Sequence, residues 1–272
     1  MTIDAIYLNA RVSWLSGIRS HALRVLLVLG GLLMAVAYFA GSFSLRQPLV
    51  VALDVGLSGL RFLGLLLVLF WMQEAFGKDI ERRTVTFALA YPIPRVAYVI
   101  GRYLGVMALV LLTVIVWGGL LFVINAFSGW GNEQSSTNSF DVGYVLVLIG
   151  IAIDLAVIGA FFVAVASVAE TPMVPFIASF FFAVSARSIG VMIDFLAVSS
   201  FADADTKASF LPLLEAARWI LPDLSQLDWR QITLYGDWPS TQQIFFGVIL
   251  ALGYLLMMLG LSVLAYRRRN FS

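Results

Sequence analysis

The sequence predicts an all-α integral membrane protein: six transmembrane helices, an N-terminal amphipathic helix lying at the membrane interface, and a short helix on the cytoplasmic side between the second and third spans. Three observations predict it. The 272 residues are 61% hydrophobic and 12% charged, with a mean hydropathy of +0.95, whereas soluble domains carry about 45–50% apolar and about 25% charged residues. Six runs reach the roughly 20 apolar residues that a helix needs to cross a hydrocarbon core of about 30 Å. The basic residues are also distributed unevenly between alternate loops.

The N-terminal segment, residues 1–22, is amphipathic. Ile6, Val12, Leu15, Ile18 and Leu23 are set against Asn9, Arg11, Ser13, Arg19 and His21, with the apolar residues at three- and four-residue gaps through Ile18. A helix resting at the inner interface fits, its arginines near anionic headgroups. About twenty mixed residues before the first long apolar run do not read as a cleaved signal peptide.

The runs are Leu23–Phe43, Leu49–Gln73, Val99–Ile124, Val142–Val168, Val174–Ser199 and Ile244–Tyr266. With the N-terminus inside, the cytoplasmic loops hold Arg11, Arg19, Arg24, Lys78, Arg82, Arg83, Arg95, Arg102, Arg267, Arg268 and Arg269. The other side holds Arg46, Lys207, Arg218 and Arg230. The bias places both termini in the cytoplasm. No internal repeat is visible and no loop is long enough for a soluble domain, so residues 1–272 read as one transmembrane domain.

Residues 74–98 are the charged exception. The second helix is expected to continue past the membrane through Glu74, Lys78, Asp79 and Glu81. Phe87, Leu89 and Tyr91 follow in a stretch too short to span, Pro92 breaks it, and Pro94 suits the first turn of a new helix. The result is a short helix held between two rods. The alternative is a solvated loop that only carries topogenic charge. On the other face, residues 201–243 mix Leu214, Trp219, Ile220, Leu221, Leu224 and Leu227 with acids and Pro222, as expected of short helices that form a lid or a cap.

Several chemistries are excluded. Cysteine is absent and His21 is the single histidine, too few for zinc, haem or copper–imidazole sites. Eight methionines in so apolar a chain read as packing. The Gly77-Lys78 pair is followed by Asp79 and has Met72 five residues earlier, so it is not a phosphate loop. Both lysines, Lys78 and Lys207, lie in loops, leaving a serine nucleophile without a base. A net charge of +1 gives no reason to expect nucleic acid.

What remains is charge inside the spans: Arg61, Asp154, Arg187 and Asp194, with Asp54 near the outer edge. Such groups are costly in lipid and face a bundle interior or a wet cavity. Asp54 and Arg61 are seven residues apart, as are Arg187 and Asp194. Each pair shares a helix face but lies about 10 Å apart in rise, so partners are expected from other helices. Three readings stand: interhelical ion pairs, the lining of a polar pathway that meets a substrate headgroup, or a proton relay through Asp154 and Asp194 in an ion-coupled carrier. A membrane scaffold is the non-transporting alternative.

The segment after the second span resembles the corresponding region of type-2 ABC exporter permeases, the membrane halves that work with a separate ATPase. Asp79 and Glu81 stand for that family's acids, Thr84 for its threonine, Pro92 and Arg95 for its proline and arginine, and Gly101-Arg102 for its Gly-Lys. Arg83 replaces its glycine. "YLNARVSWLSGIRSHALRVLL" looks like the family's elbow helix. "ILPDLSQLDWRQI" and "YRRRNF" look like segments of the subgroup named for multicopper-enzyme maturation, which includes the nitrous-oxide-reductase maturation permease. The resemblance implies a permease dimer, usually a homodimer, in the inner membrane. It implies two copies of an ATPase that carry the ATP and Mg²⁺, with no cofactor on this chain. It also implies a coupling helix within Glu74–Arg95, with Glu74, Lys78, Asp79, Glu81, Arg82, Arg83, Thr84, Phe87, Pro92 and Arg95 at the ATPase contact. Spans two and five would face the pathway, so that Arg61 and Arg187 could meet an anionic or zwitterionic group.

Overall fold

The computed structural model describes residues 2–77, 94–128, 142–198 and 221–268. Among the described residues the chain is helical, with no strand. An N-terminal helix, Thr2–Arg19, ends at Ser20, whose hydroxyl accepts the Leu23 N–H at 3.3 Å and starts the first span, His21–Phe43. This is the side-chain cap expected where a helix would otherwise leave its first amides unbonded. The second span is Pro48–Met72, with proline in its first turn. It passes into a π-helical turn, Gln73–Gly77, where a plain α-helical continuation was expected. The third span, Arg95–Phe127, begins just after Pro94, which occupies the cap position instead of the first turn. The fourth and fifth spans are Val142–Val168 and Met173–Val198. A 3₁₀ turn, Leu224–Leu227, and a short helix, Arg230–Tyr235, precede the sixth span, Thr241–Arg268.

All six spans are long and apolar enough to cross a membrane. The second and fourth are the interior ones. Apart from Asp154 the fourth is apolar on every face, as a helix surrounded by helices should be. The first span lies along the second, the third along the second and fourth, and the fifth and sixth along the fourth. The outward faces remain apolar: Val28, Leu32 and Phe39, Leu111 and Ile115, Phe181 and Phe195, Phe245 and Leu256 are all exposed. A belt of this extent belongs against lipid.

Lipid is as apolar as leucine, so helices in a membrane associate through close contact and hydrogen bonds. Tyr103 on the third span donates to the Ala156 carbonyl of the fourth at 2.8 Å, and Tyr144 on the fourth donates to the Gly118 carbonyl of the third at 2.7 Å. The N-terminal helix follows the same rule. Its packed side is Ile6, Asn9, Ala10, Ser13 and Gly17, while Tyr7, Leu8, Val12, Leu15 and Ile18 point outward. The contact is made by Gly101 and Gly105 of the third span. A Cβ on Gly101 would stand 2.6 Å from the Ile6 carbonyl oxygen, and one on Gly105 would stand 2.4 Å from that of Ala10.

Gly105→Ala should therefore destabilise the docked N-terminal helix by about 1–3 kcal/mol, the usual cost of forcing backbone apart. Gly119→Ala is the control, because nothing lies within 4 Å of its added methyl. Limited proteolysis in detergent should release the N-terminal helix from the first variant and not the second.

Candidate functional site

The charges within the spans converge near the middle of their helices, Pro48–Met72, Val142–Val168 and Met173–Val198. Arg61 of the second span donates from Nε to Asp154 Oδ2 of the fourth at 3.1 Å. Arg187 of the fifth span reaches the same oxygen from Nη2 at 2.6 Å and from Nε at 3.1 Å. Asp154 is fully buried, and both guanidinium groups are mostly so. The remaining nitrogens of Arg61 face the segment before the sixth span. Nη1 pairs with Asp228 at 2.7 Å and Nη2 donates to the Leu224 carbonyl at 3.0 Å. Asp228 in turn takes Nε and Nη2 of Arg230, each at 2.7 Å. Arg230 Nη1 extends the chain to Asp54 at 3.1 Å and to Ser58 on the second span.

Three arginines and three aspartates thus form one connected network across the second, fourth and fifth spans and the segment 222–235. Each charge left alone in a span costs about 2.5–3.5 kcal/mol on insertion scales, and this pairing offsets that cost. Around Asp228, burial alone would raise the carboxyl's pKa. The Arg230 hydrogen bonds, then the Arg61 charge, outweigh it and hold the carboxyl below its ordinary range.

The segment reaches Arg61 because glycines let it sit low on the spans. A Cβ on Gly150 of the fourth span would meet the Leu227 carbonyl oxygen at 2.6 Å, and one on Gly190 of the fifth would meet Asp223 Oδ1 at 2.4 Å. Asp223 is itself tied down by Ser225 Oγ at 2.5 Å and Gln226 Nε2 at 3.1 Å. Above the seat is a cleft of about 900 Å³, with Asp223, Asp228, Trp229, Asp237, Trp238 and Gln243 on its walls.

The helix ends around Arg95 are held by different chemistry. Arg95 Nη1 donates to the Tyr266 and Arg267 carbonyls, at 2.7 and 2.8 Å, at the end of the sixth span. A cation there satisfies carbonyls that have no helical partner and suits the helix dipole. Arg102 donates to the Ala75 carbonyl in the π turn and lies 4.5 Å over the Tyr98 ring. Phe76, Tyr98 and Tyr266 stack edge to face beside it.

Of the residues singled out from sequence, Arg61, Asp154 and Arg187 come together, and their partners do come from other elements. Asp194 lies on the fifth span, and its side chain is outside the described residues. Glu74 sits half-buried in the π turn and Arg95 opens the third span. Lys78, Asp79, Glu81, Arg82, Arg83, Thr84, Phe87 and Pro92 lie outside the described residues. Sequence reasoning missed Asp228. It lies in a stretch of mixed polarity, with Asp223, Ser225, Gln226 and Gln231 around it, that marks out no single acid.

A bundle of six helices long and apolar enough to cross a membrane, with an ion-pair network at mid-span, defines a multi-pass membrane protein. Residues 32–213 match the model of the ABC-2 family transporter proteins, and the chain belongs to that family. No curated protein matches the chain.

Asp154→Asn removes the carboxylate shared by two buried guanidiniums and should cost about 3–5 kcal/mol, the range for breaking a buried pair from one side. Thermal unfolding in detergent measures this. The Asp228 contribution follows pH. Its folded pKa lies below the ordinary value of 3.8, so the stabilisation is complete well above that value and is lost as pH falls through the depressed one. The gap in unfolding temperature between the parent and Asp228→Asn should be constant from neutral pH to about pH 5 and close below about pH 4.

Proposed function

We propose that the chain is the permease subunit of an ATP-driven exporter in the inner membrane, with both termini cytoplasmic. It forms the substrate pathway as a homodimer and is driven by two copies of a separate ABC ATPase that bind ATP and Mg²⁺. Family membership supports the ATPase partner, and the absence of a phosphate loop in the sequence agrees with a borrowed energy source. The observation that carries the mechanical reading is the bracing around residues 74–102. Arg95 grips the end of the sixth span and Arg102 the π turn of the second. A push delivered between Glu74 and Arg95 would therefore reach three spans together.

On this reading Lys78, Asp79, Glu81, Arg82, Arg83, Thr84, Phe87 and Pro92 meet the ATPase. Nucleotide-driven closure then shifts the dimer between inward and outward access, to the extent that the partner binds the two states differently. Arg61 and Arg187 form the substrate-facing polar patch. The ion-coupled carrier has less support, because Asp154 has no exposed surface and is closed between two guanidiniums.

Co-expression with a candidate partner ABC ATPase tests the docking surface. Reversing charge with Glu81→Lys and Arg82→Glu should abolish copurification and ATPase stimulation while the permease still accumulates in membranes. Retention of both by the double variant would move the docking surface elsewhere.

A further inference from the structure

Among the described residues, the three buried charges of the network that lie within the spans do not balance. Arg61 and Arg187 carry two positive charges and Asp154 one negative. The fourth member, Asp228, belongs to the segment seated across them, and it differs from Asp154 in kind. Its side chain keeps 24% of its exposure and forms part of the wall of the 900 Å³ cleft. It also has a second cation of its own, Arg230, bound through two bonds of 2.7 Å.

The two outer nitrogens of Arg61 have different acceptors, the Asp228 carboxylate and the Leu224 carbonyl, and both acceptors come from this segment. Nε stays on Asp154. Two parallel N–H donors on a planar fork are what a carboxylate or phosphate takes in bidentate fashion. One arriving oxyanion would therefore replace both of the segment's bonds at once.

We propose that Asp228 is a tethered stand-in anion. It occupies the Arg61 fork that a molecule bearing a phosphate or carboxylate would take, and it keeps the segment Pro222–Tyr235 seated until such a group displaces it. The inference deepens the proposed function and rests on its assignment of Arg61 and Arg187 to the substrate. Charge balance favours the exchange: the departing Asp228 keeps Arg230, and the incoming anion neutralises the excess of Arg61 and Arg187 over Asp154. A neutral or cationic ligand would leave the buried trio with a net positive charge, which is costly in a membrane.

The chain has no native cysteine, so a single thiol reports on the seat. Leu224, within the segment, is fully buried. The Leu224→Cys chain in phosphatidylcholine nanodiscs should react slowly with a water-soluble maleimide. Adding Asp228→Asn should speed labelling about tenfold or more, the scale of one lost charged hydrogen bond, and adding Asp228→Glu should not. With Asp228 in place, acceleration by inorganic pyrophosphate would identify a soluble anion as the displacing group. Acceleration on replacing phosphatidylcholine by phosphatidylglycerol would identify a lipid headgroup. Equal labelling of the Asn and Glu variants overturns the proposal, as does acceleration by neither anion. If the Asn variant fails to fold, the anion arm decides alone. No ATPase or transported cargo enters the measurement, so its failure is separate from a failure of the exporter reading.

Discussion

Water cannot hydrogen-bond a guanidinium in the middle of a bilayer, so Arg61 must find every partner within the protein. This one constraint organises the middle of the bundle. Its three nitrogens turn to three acceptors on two separate elements: Asp154 of the fourth span, and both Asp228 and the Leu224 carbonyl of the segment before the sixth. A lysine, with a point charge and no fork, would not bind two elements in fixed directions. The glycines at positions 150 and 190 follow from the same requirement. Any side chain there would lift the segment and carry the Leu224 carbonyl out of reach of Nη2.

The two arginine clusters meet the problem of buried cations differently. Arg95 and Arg102 donate to backbone carbonyls, which carry no net charge and cannot leave their helices. Arg61 and Arg187 bond to carboxylates, one of which, Asp228, sits on a surface-seated segment with a second cation beside it. Contacts of the first kind hold helix ends in register. Contacts of the second kind can be exchanged for another anion without leaving a charge bare. On the exporter reading, force enters at the Arg95–Arg102 brace and partners are exchanged at the mid-span network.

The six spans were legible because hydropathy over twenty residues is a strong signal and the bilayer fixes the length. The intramembrane charges were legible as anomalies for the same reason. Their arrangement was not. Asp228 lies outside every apolar run, and nothing local tells an acid that caps a buried arginine from an acid in a solvated loop. The face by which the N-terminal helix contacts the protein was not legible. Val12, Leu15 and Ile18 are its most hydrophobic stripe, and in a soluble protein they would face the core. Beside a membrane the large apolar residues can turn to lipid, while Ala10, Ser13 and Gly17 make the protein contact because only small residues let two helices approach. Pro94 and the π turn show a smaller limit: the break was legible, but its register was not.

On the exporter reading, the second span connects the two clusters. It carries Arg61 near its middle and the π turn at Gln73–Gly77 at its end, separated by 14 residues from Arg61 to Ala75, or about 21 Å of helix. A buried helix of that length moves as a rod, because its hydrogen bonds and its packed face do not stretch. Displacing the π turn by way of Arg102 therefore displaces Arg61. Since Arg61 also holds the segment before the sixth span, its shift changes the geometry of the bonds that seat the segment. Coupling across the membrane then needs no separate relay of side chains. It needs one stiff helix, a brace at its end, and at its middle an arginine whose partners can be exchanged.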